Sequence, residues 1–171
     1  MNRGLAKAIV LLPVPVLIIV PAIILILSRG TIVSPDVQVP TQVTFWVAVD
    51  FLTAGIFLAA WSARVIVAVG EGTPAPWEPT RKLVIAGPYR YVRNPIITGV
   101  LLILIGETIL WNTWALFLWA VVFFVANLIY FPVVEENGLE QRFGEEYLAY
   151  KAHVPRWIPR LQSWDGKRTT P

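Results

Sequence analysis

The sequence predicts an all-α fold of the polytopic membrane type: a helical bundle of about four transmembrane helices, with a cytoplasmic loop and a C-terminal helix outside the bilayer. Three observations predict it. Of 171 residues, 56% are hydrophobic and only 15% charged, against roughly 25% charged in soluble domains. The apolar residues gather into four runs that approach the roughly 20 residues a spanning helix needs. The connection between the second and third runs is rich in Gly and Pro and longer than structural need dictates. Cysteine is absent and histidine occurs once, so neither a disulfide frame nor a Cys- or His-based metal site is expected. A net charge of +3 is too small to point to nucleic acid.

Taken in order, Arg3 and Lys7 precede an unbroken apolar run, Ala8 to Leu27. A charged start followed by an apolar run imitates a signal peptide, but Ser28-Arg29-Gly30 does not supply a small-residue cleavage pattern, and the run reads as a retained span. Pro13, Pro15 and Pro21 predict a bent packing helix whose freed carbonyls are satisfied by neighbours. After a link from Thr31 to Thr44, a second span is predicted from Phe45 to Val69, with Trp46 and Trp61 as interfacial anchors. Asp50 and Arg64 lie about 21 Å apart along such a helix and cannot pair. Arg64 either snorkels to the near interface or, facing the bundle interior, holds an anionic substrate group. These two spans, residues 1–69, form the N-terminal part; residues 70–171 form the part that carries the chemistry.

Gly70 to Asn94 reads as a loop, because Gly70, Gly72, Pro74, Pro76, Pro79, Gly87 and Pro88 forbid a long helix. Its apolar and aromatic residues, Trp77, Leu83, Val84, Ile85, Tyr89 and Tyr91, argue against disorder. A third span is predicted from Pro95 to Trp111 and a fourth from Trp114 to Phe131. Asn112-Thr113 between them leaves room only for an antiparallel hairpin. Glu107, a turn before that bend, reads as an interfacial carboxylate. Leu139, Phe143, Tyr147 and Tyr150 form an apolar stripe on a helix from Val134 to Lys151. That stripe suits either the bilayer surface or the loop, and Val154 to Arg160 follows as an extended segment.

Four spans put both termini on one side. That side holds Arg3, Lys7, Arg81, Lys82, Arg90, Arg93, Arg142, Lys151, Arg156, Arg160, Lys167 and Arg168, whereas the opposite loops hold only Arg29. By the positive-inside rule the termini and the long loop are cytoplasmic; the expected location is a prokaryotic inner membrane.

Two features converge on that side. In Gly87 to Gly99, Pro95 suits the first position of a helix and Asn94 its N-cap, so free backbone N–H groups and a positive dipole end face the loop beside Arg90 and Arg93. That is an anion site. The matched hairpin brings Glu135 and Glu136, just past the fourth span, out of the membrane beside it. An anion site next to a carboxylate pair suits a zwitterion such as S-adenosylmethionine: its carboxylate would seek the N–H groups and Arg93, and Glu135 would accept from its ammonium or ribose hydroxyls. Tyr89, Leu83 and Val84 would enclose the adenine. The same residues also fit a surface salt-bridge cluster of little energetic consequence.

Leu83-Val84, Gly87-Pro88-Tyr89-Arg90-Tyr91-Val92-Arg93-Asn94-Pro95, Gly99, Glu135-Glu136, Phe143-Gly144-Glu145-Glu146-Tyr147, Tyr150 and Val154-Pro155-Arg156 closely resemble the isoprenylcysteine carboxyl methyltransferase family, itself similar to the membrane phospholipid N-methyltransferases. The resemblance covers residues 70 to 160. It implies a cofactor pocket for S-adenosylmethionine, capped by the tail and opening laterally to a lipid-like substrate, with contacts from Lys82, Leu83, Val84, Tyr89, Asn94, Pro95, Ile96, Ile97 and Glu135. Three positions depart from the family pattern. Asn94 stands in place of the motif's histidine, Ile97 in place of its tyrosine, and Phe131 in place of an arginine that faces the substrate carboxylate.

The activity this implies is direct displacement of the sulfonium methyl group by a lipophilic or lipid-like acceptor, which depends on alignment and exclusion of water more than on a strong base. Glu136 would take a proton from an amine acceptor, and Arg64 and Arg156 would hold an anionic substrate group. His153 is more simply read as a solvated side chain than as a catalytic one. The alternative is a non-catalytic membrane protein that binds lipid and keeps the same fold. A small transporter is disfavoured because the spans show no repeat pairing, and no small-xxx-small pattern is strong enough to specify an oligomer.

Overall fold

The computed structural model describes residues 11, 13–73 and 79–166. Arg3, Lys7, Ala8, Pro74, Pro76, Trp77, Lys167 and Arg168 lie outside the described residues. The described chain is helical, with no strand. Its α-helices are α1 (Val20–Ser28), α2 (Val43–Gly70), α3 (Pro95–Trp111), α4 (Trp114–Tyr130) and α5 (Glu136–His153). α2 and the helical run Trp114–His153, which bends at Gly144, are each long and apolar enough to cross a membrane, and two shorter apolar helices, Pro15–Ser28 and Pro95–Trp111, complete a membrane helical bundle.

Proline shapes two of these rods. A π-turn, Pro15–Ile19, runs directly into α1, and a second, Phe131–Glu135, joins α4 to α5. A proline lacks its N–H and its ring crowds the carbonyl of the preceding turn. Widening to a π-turn relieves that crowding without ending the helix. Glu136 N–H accordingly donates to Phe131 O, five residues back. The expected separation of the fourth span from the C-terminal helix is thus replaced by one unbroken rod, and the change of direction falls instead at Gly144, whose φ of 51° is open to glycine.

The chain forms two compact units, each drawn from two segments. The first, residues up to Phe57 with Gly99–Asn127, is the apolar one. Val100, Leu104 and Ala120 are its buried centre, covered by Val16, Leu17, Trp119 and Phe123. The α3–α4 hairpin closes as expected at Asn112, in the left-handed region at φ 43°, which asparagine tolerates. Thr113 Oγ1 accepts from Ala115 N–H, capping α4, and donates to Val33 O at 2.7 Å. α2 and α3 approach so closely that a Cβ on Gly55 would lie 2.6 Å from Gly99 O and 2.7 Å from Ile103 Cγ1.

The second unit, Leu58–Thr98 with Leu128–Pro171, carries the polar head. Tyr147, Tyr150, Val154 and Trp164 form its core, and Leu83, Ile85, Leu139 and Phe143 pack against them. The apolar stripe of α5 therefore covers the loop, the second of its two expected partners.

The close helix contact makes a measurable contrast. Gly55→Ala should lower the unfolding midpoint in detergent, because overpacking costs about 1–3 kcal/mol and outweighs the gain of up to about 1 kcal/mol in helix propensity. Gly138→Ala, where an added Cβ meets nothing within 4 Å, should raise it.

Candidate functional site

The site is built on the start of α3. Gly87, at φ +53° and packed so close to Val65 that a Cβ would lie 3.1 Å from Val65 Cγ2, turns the chain into a short 3₁₀ segment, Gly87–Arg90. Pro95 opens α3, and Asn94 O accepts its first helical bond, from Thr98 N–H at 3.1 Å, together with Thr98 Oγ1. Asn94 occupies the cap position, as its place before proline predicts.

Glu136 joins this segment to the tail. Its side chain is 2% exposed, and three cations meet it. Arg93 Nη1 donates to Oε1 at 2.9 Å; Arg156 clamps both oxygens, Nε to Oε1 at 2.6 Å and Nη2 to Oε2 at 2.9 Å; Lys151 Nζ lies 3.2 Å from Oε2 and 2.5 Å from Glu140. Arg93 Nη1 also reaches Tyr147 Oη at 3.3 Å. Burial alone would push the Glu136 carboxyl up, but the Arg156 hydrogen bonds and the Arg93 charge outweigh it and hold the carboxyl below its ordinary range.

The backbone reinforces the same junction. Arg93 N–H donates to Pro155 O at 2.9 Å, Arg160 N–H to Tyr91 O and Trp164 N–H to Arg90 O, both at 3.0 Å. Arg90 Nε returns a bond to Trp164 O at 2.9 Å. Tyr150 Oη donates to Tyr89 O at 2.7 Å, and the Trp164 ring stacks between Tyr150 and His153.

Glu135, its neighbour in sequence, is treated oppositely. It is partly buried and makes no ion pair among the described residues. Burial pushes its carboxyl up, and Arg142 opposes the shift by charge only. Its charge is felt by the buried Tyr89, whose hydroxyl is pushed well up, first by burial and then by Tyr150 and Glu135. Two donors at the start of α3, Arg93 Nε and Asn94 Nδ2, are buried with no hydrogen-bond partner.

The remaining expected residues distribute as follows. Leu83 and Val84 lie in or against the head core, and Pro95 is fully buried. Ile96 and Ile97 are half-buried on the first turn of α3. Lys82 is exposed and paired with Glu71. Arg64 is exposed on α2 and is not part of the Glu136 cluster. Phe131 sets its ring edge-on to Trp157 at 5.7 Å. Sequence reasoning missed the roles of Tyr147 and Lys151 on Glu136 and of Trp164 against Arg90. Tyr147 carried a signal only through the apolar stripe and the family motif, neither of which pointed to Glu136, and Trp164 carried none.

The helices and their apolar length define a membrane helical protein, and its second unit brings Arg93, Lys151 and Arg156 onto the buried Glu136. The phospholipid methyltransferase family model matches residues 43–146, more than half of the chain, and the chain belongs to that family of membrane methyltransferases with lipid-like substrates. No curated protein and no solved structure matches it.

The pH dependence has a definite sign. A carboxyl held low contributes stability that is present above its unfolded value near 4.5 and lost as pH falls through its lower folded value. Glu136→Gln should remove that acid limb and lower stability at neutral pH by about 3 kcal/mol, since it leaves Arg93 and Arg156 without their counter-charge. Hydrogen exchange of residues 154–164 should rise with it.

Proposed function

We propose that the protein is an integral membrane methyltransferase dependent on S-adenosylmethionine, which transfers a methyl group directly to a small lipophilic or lipid-like acceptor. The observation that carries the reading is the pair of buried, unmatched donors on consecutive residues, Arg93 Nε and Asn94 Nδ2, on the same head unit as the unpaired Glu135. Orphaned buried donors are rare and costly unless a ligand supplies the acceptor. A ligand with one carboxylate and one ammonium fits both halves of this set.

When bound, the cofactor supplies an electrophilic methyl group. Asn94 and the first N–H groups of α3 would bind its carboxylate, and Glu135 would accept from its ammonium or a ribose hydroxyl. Tyr89, Leu83, Val84, Ile96 and Ile97 would enclose its apolar parts, with Lys82 at the rim. Glu136 and Arg156 act in this reading by holding the tail over the start of α3. A carboxylate engaged by three cations is a weak base, and a guanidinium clamped on both oxygens of a carboxylate is a poor free anion site. Arg64, exposed near the end of α2, remains the candidate for an anionic group on the acceptor. Phe131 and Trp157 offer the acceptor an aromatic surface where the prenylcysteine enzymes place an arginine. The concentration of basic residues in the loop and tail supports a cytoplasmic head, and the reading takes the membrane to be a prokaryotic inner membrane.

Titration of S-adenosylhomocysteine into purified protein tests this. At 100 times its Kd it should stabilise the fold by about 2.7 kcal/mol. Asn94→Ala, which removes a hydrogen bond to a charged group worth about 1.5–3 kcal/mol, should weaken binding about 10- to 100-fold. Absence of any thermal shift at millimolar ligand contradicts the reading.

A further inference from the structure

The polar head exposes large apolar side chains at one point of its tail. Ile158 is 80% exposed and Leu161 99% exposed. The backbone that carries them is pinned between them and just after them: Arg160 N–H is bonded to Tyr91 O and Trp164 N–H to Arg90 O, and Arg160 Nη1 donates to His153 O at 2.8 Å. These side chains are held outward by a fixed turn.

Trp157, directly before Ile158, gives their level. Its ring meets Phe131 edge-on at 5.7 Å, and Phe131 follows directly on α4. The 17 residues of α4 span only about 25 Å at 1.5 Å per residue, short of the roughly 30 Å hydrocarbon thickness. The apolar sequence continues through Phe131, Pro132, Val133 and Val134, with both valines exposed, and stops at Glu135. The hydrocarbon boundary therefore falls close to Val134, and a ring in contact with Phe131 sits at that boundary, where tryptophan is favoured. Arg160, between Ile158 and Leu161 in sequence, adds a cation suited to anionic headgroups.

The geometry points to residues 157–161 as a membrane-surface contact, in which Ile158 and Leu161 enter the headgroup region of the leaflet where α4 ends. The contact is independent of the cofactor reading. Its consequence is mechanical: the segment begins one residue after Arg156, so the bilayer surface becomes a second attachment for the tail that Glu136 holds.

The chain has no cysteine, so Ile158→Cys, Leu161→Cys and, as a polar exposed reference on α5, Gln141→Cys can each carry a single environment-sensitive fluorophore in the full-length protein in phosphatidylglycerol-containing bilayers. The labels at 158 and 161 should emit to the blue of the label at 141 and be quenched about two-fold more by nitroxide lipids, with little quenching by aqueous iodide. Equal iodide quenching at all three positions would overturn the contact. Protection from both quenchers, with energy transfer between differently labelled copies, would overturn it in favour of a second copy of this chain. Thermal midpoints matching the unlabelled protein establish that the labelled variants are folded.

Discussion

A carboxylate removed from water has to be met by cations, and Glu136 is met by three. Arg93 comes from the loop that leads into α3, Lys151 from the last turn of α5, and Arg156 from the tail. Removing one partner of such a cluster leaves the others buried and uncompensated, so the junction holds as a unit. The backbone bonds of residues 90–93 to residues 155–164 run parallel to it, and the Tyr147, Tyr150, Val154 and Trp164 core closes over it. Because the tail is fastened to the start of α3, the donors there are shielded from water without being satisfied.

The contrast between Glu135 and Glu136 follows from the helix that carries them. Pro132 widens the turn at Phe131–Glu135 without ending the rod, and α5 begins at once with Glu136 directed into the cation cluster. Glu135 makes no ion pair among the described residues. One of two adjacent carboxylates is committed to holding the fold, and the other is the one proposed above to meet a ligand. The pair was legible in the sequence; this division of labour was not.

What the sequence made legible was local. Pro95 after Asn94 marked the first residue of α3, Asn112-Thr113 marked the hairpin, and the apolar limits Phe45 to Val69 fell within α2, Val43–Gly70. Such signals depend on neighbours in the chain. Glu136 meets Arg156 across 20 positions and Arg93 across 43, and nothing in composition or periodicity ranks those pairings above others. The same limit explains the gap expected between Phe131 and Val134: a proline in a regular α-helix is a break, and at Pro132 a π-turn carries the helix through. The α5 stripe had two possible partners, and only packing against Leu83 and Ile85 selects the loop. Trp164 is an isolated aromatic in a polar tail, so its place in the core had no periodic signal to announce it.

The central proposal is that this head binds a methyl donor beside an acceptor dissolved in the membrane, and that Phe131, in place of the family's arginine, changes the acceptor without ending catalysis. Its most direct test is incubation of protein in native-lipid bilayers with S-adenosylmethionine carrying a radioactive methyl group, followed by organic extraction. Label entering the lipid fraction, and lost with Glu135→Gln, is the predicted result. Protein that binds S-adenosylhomocysteine but never labels the extract contradicts the claim and identifies a binding protein that has kept the methyltransferase fold.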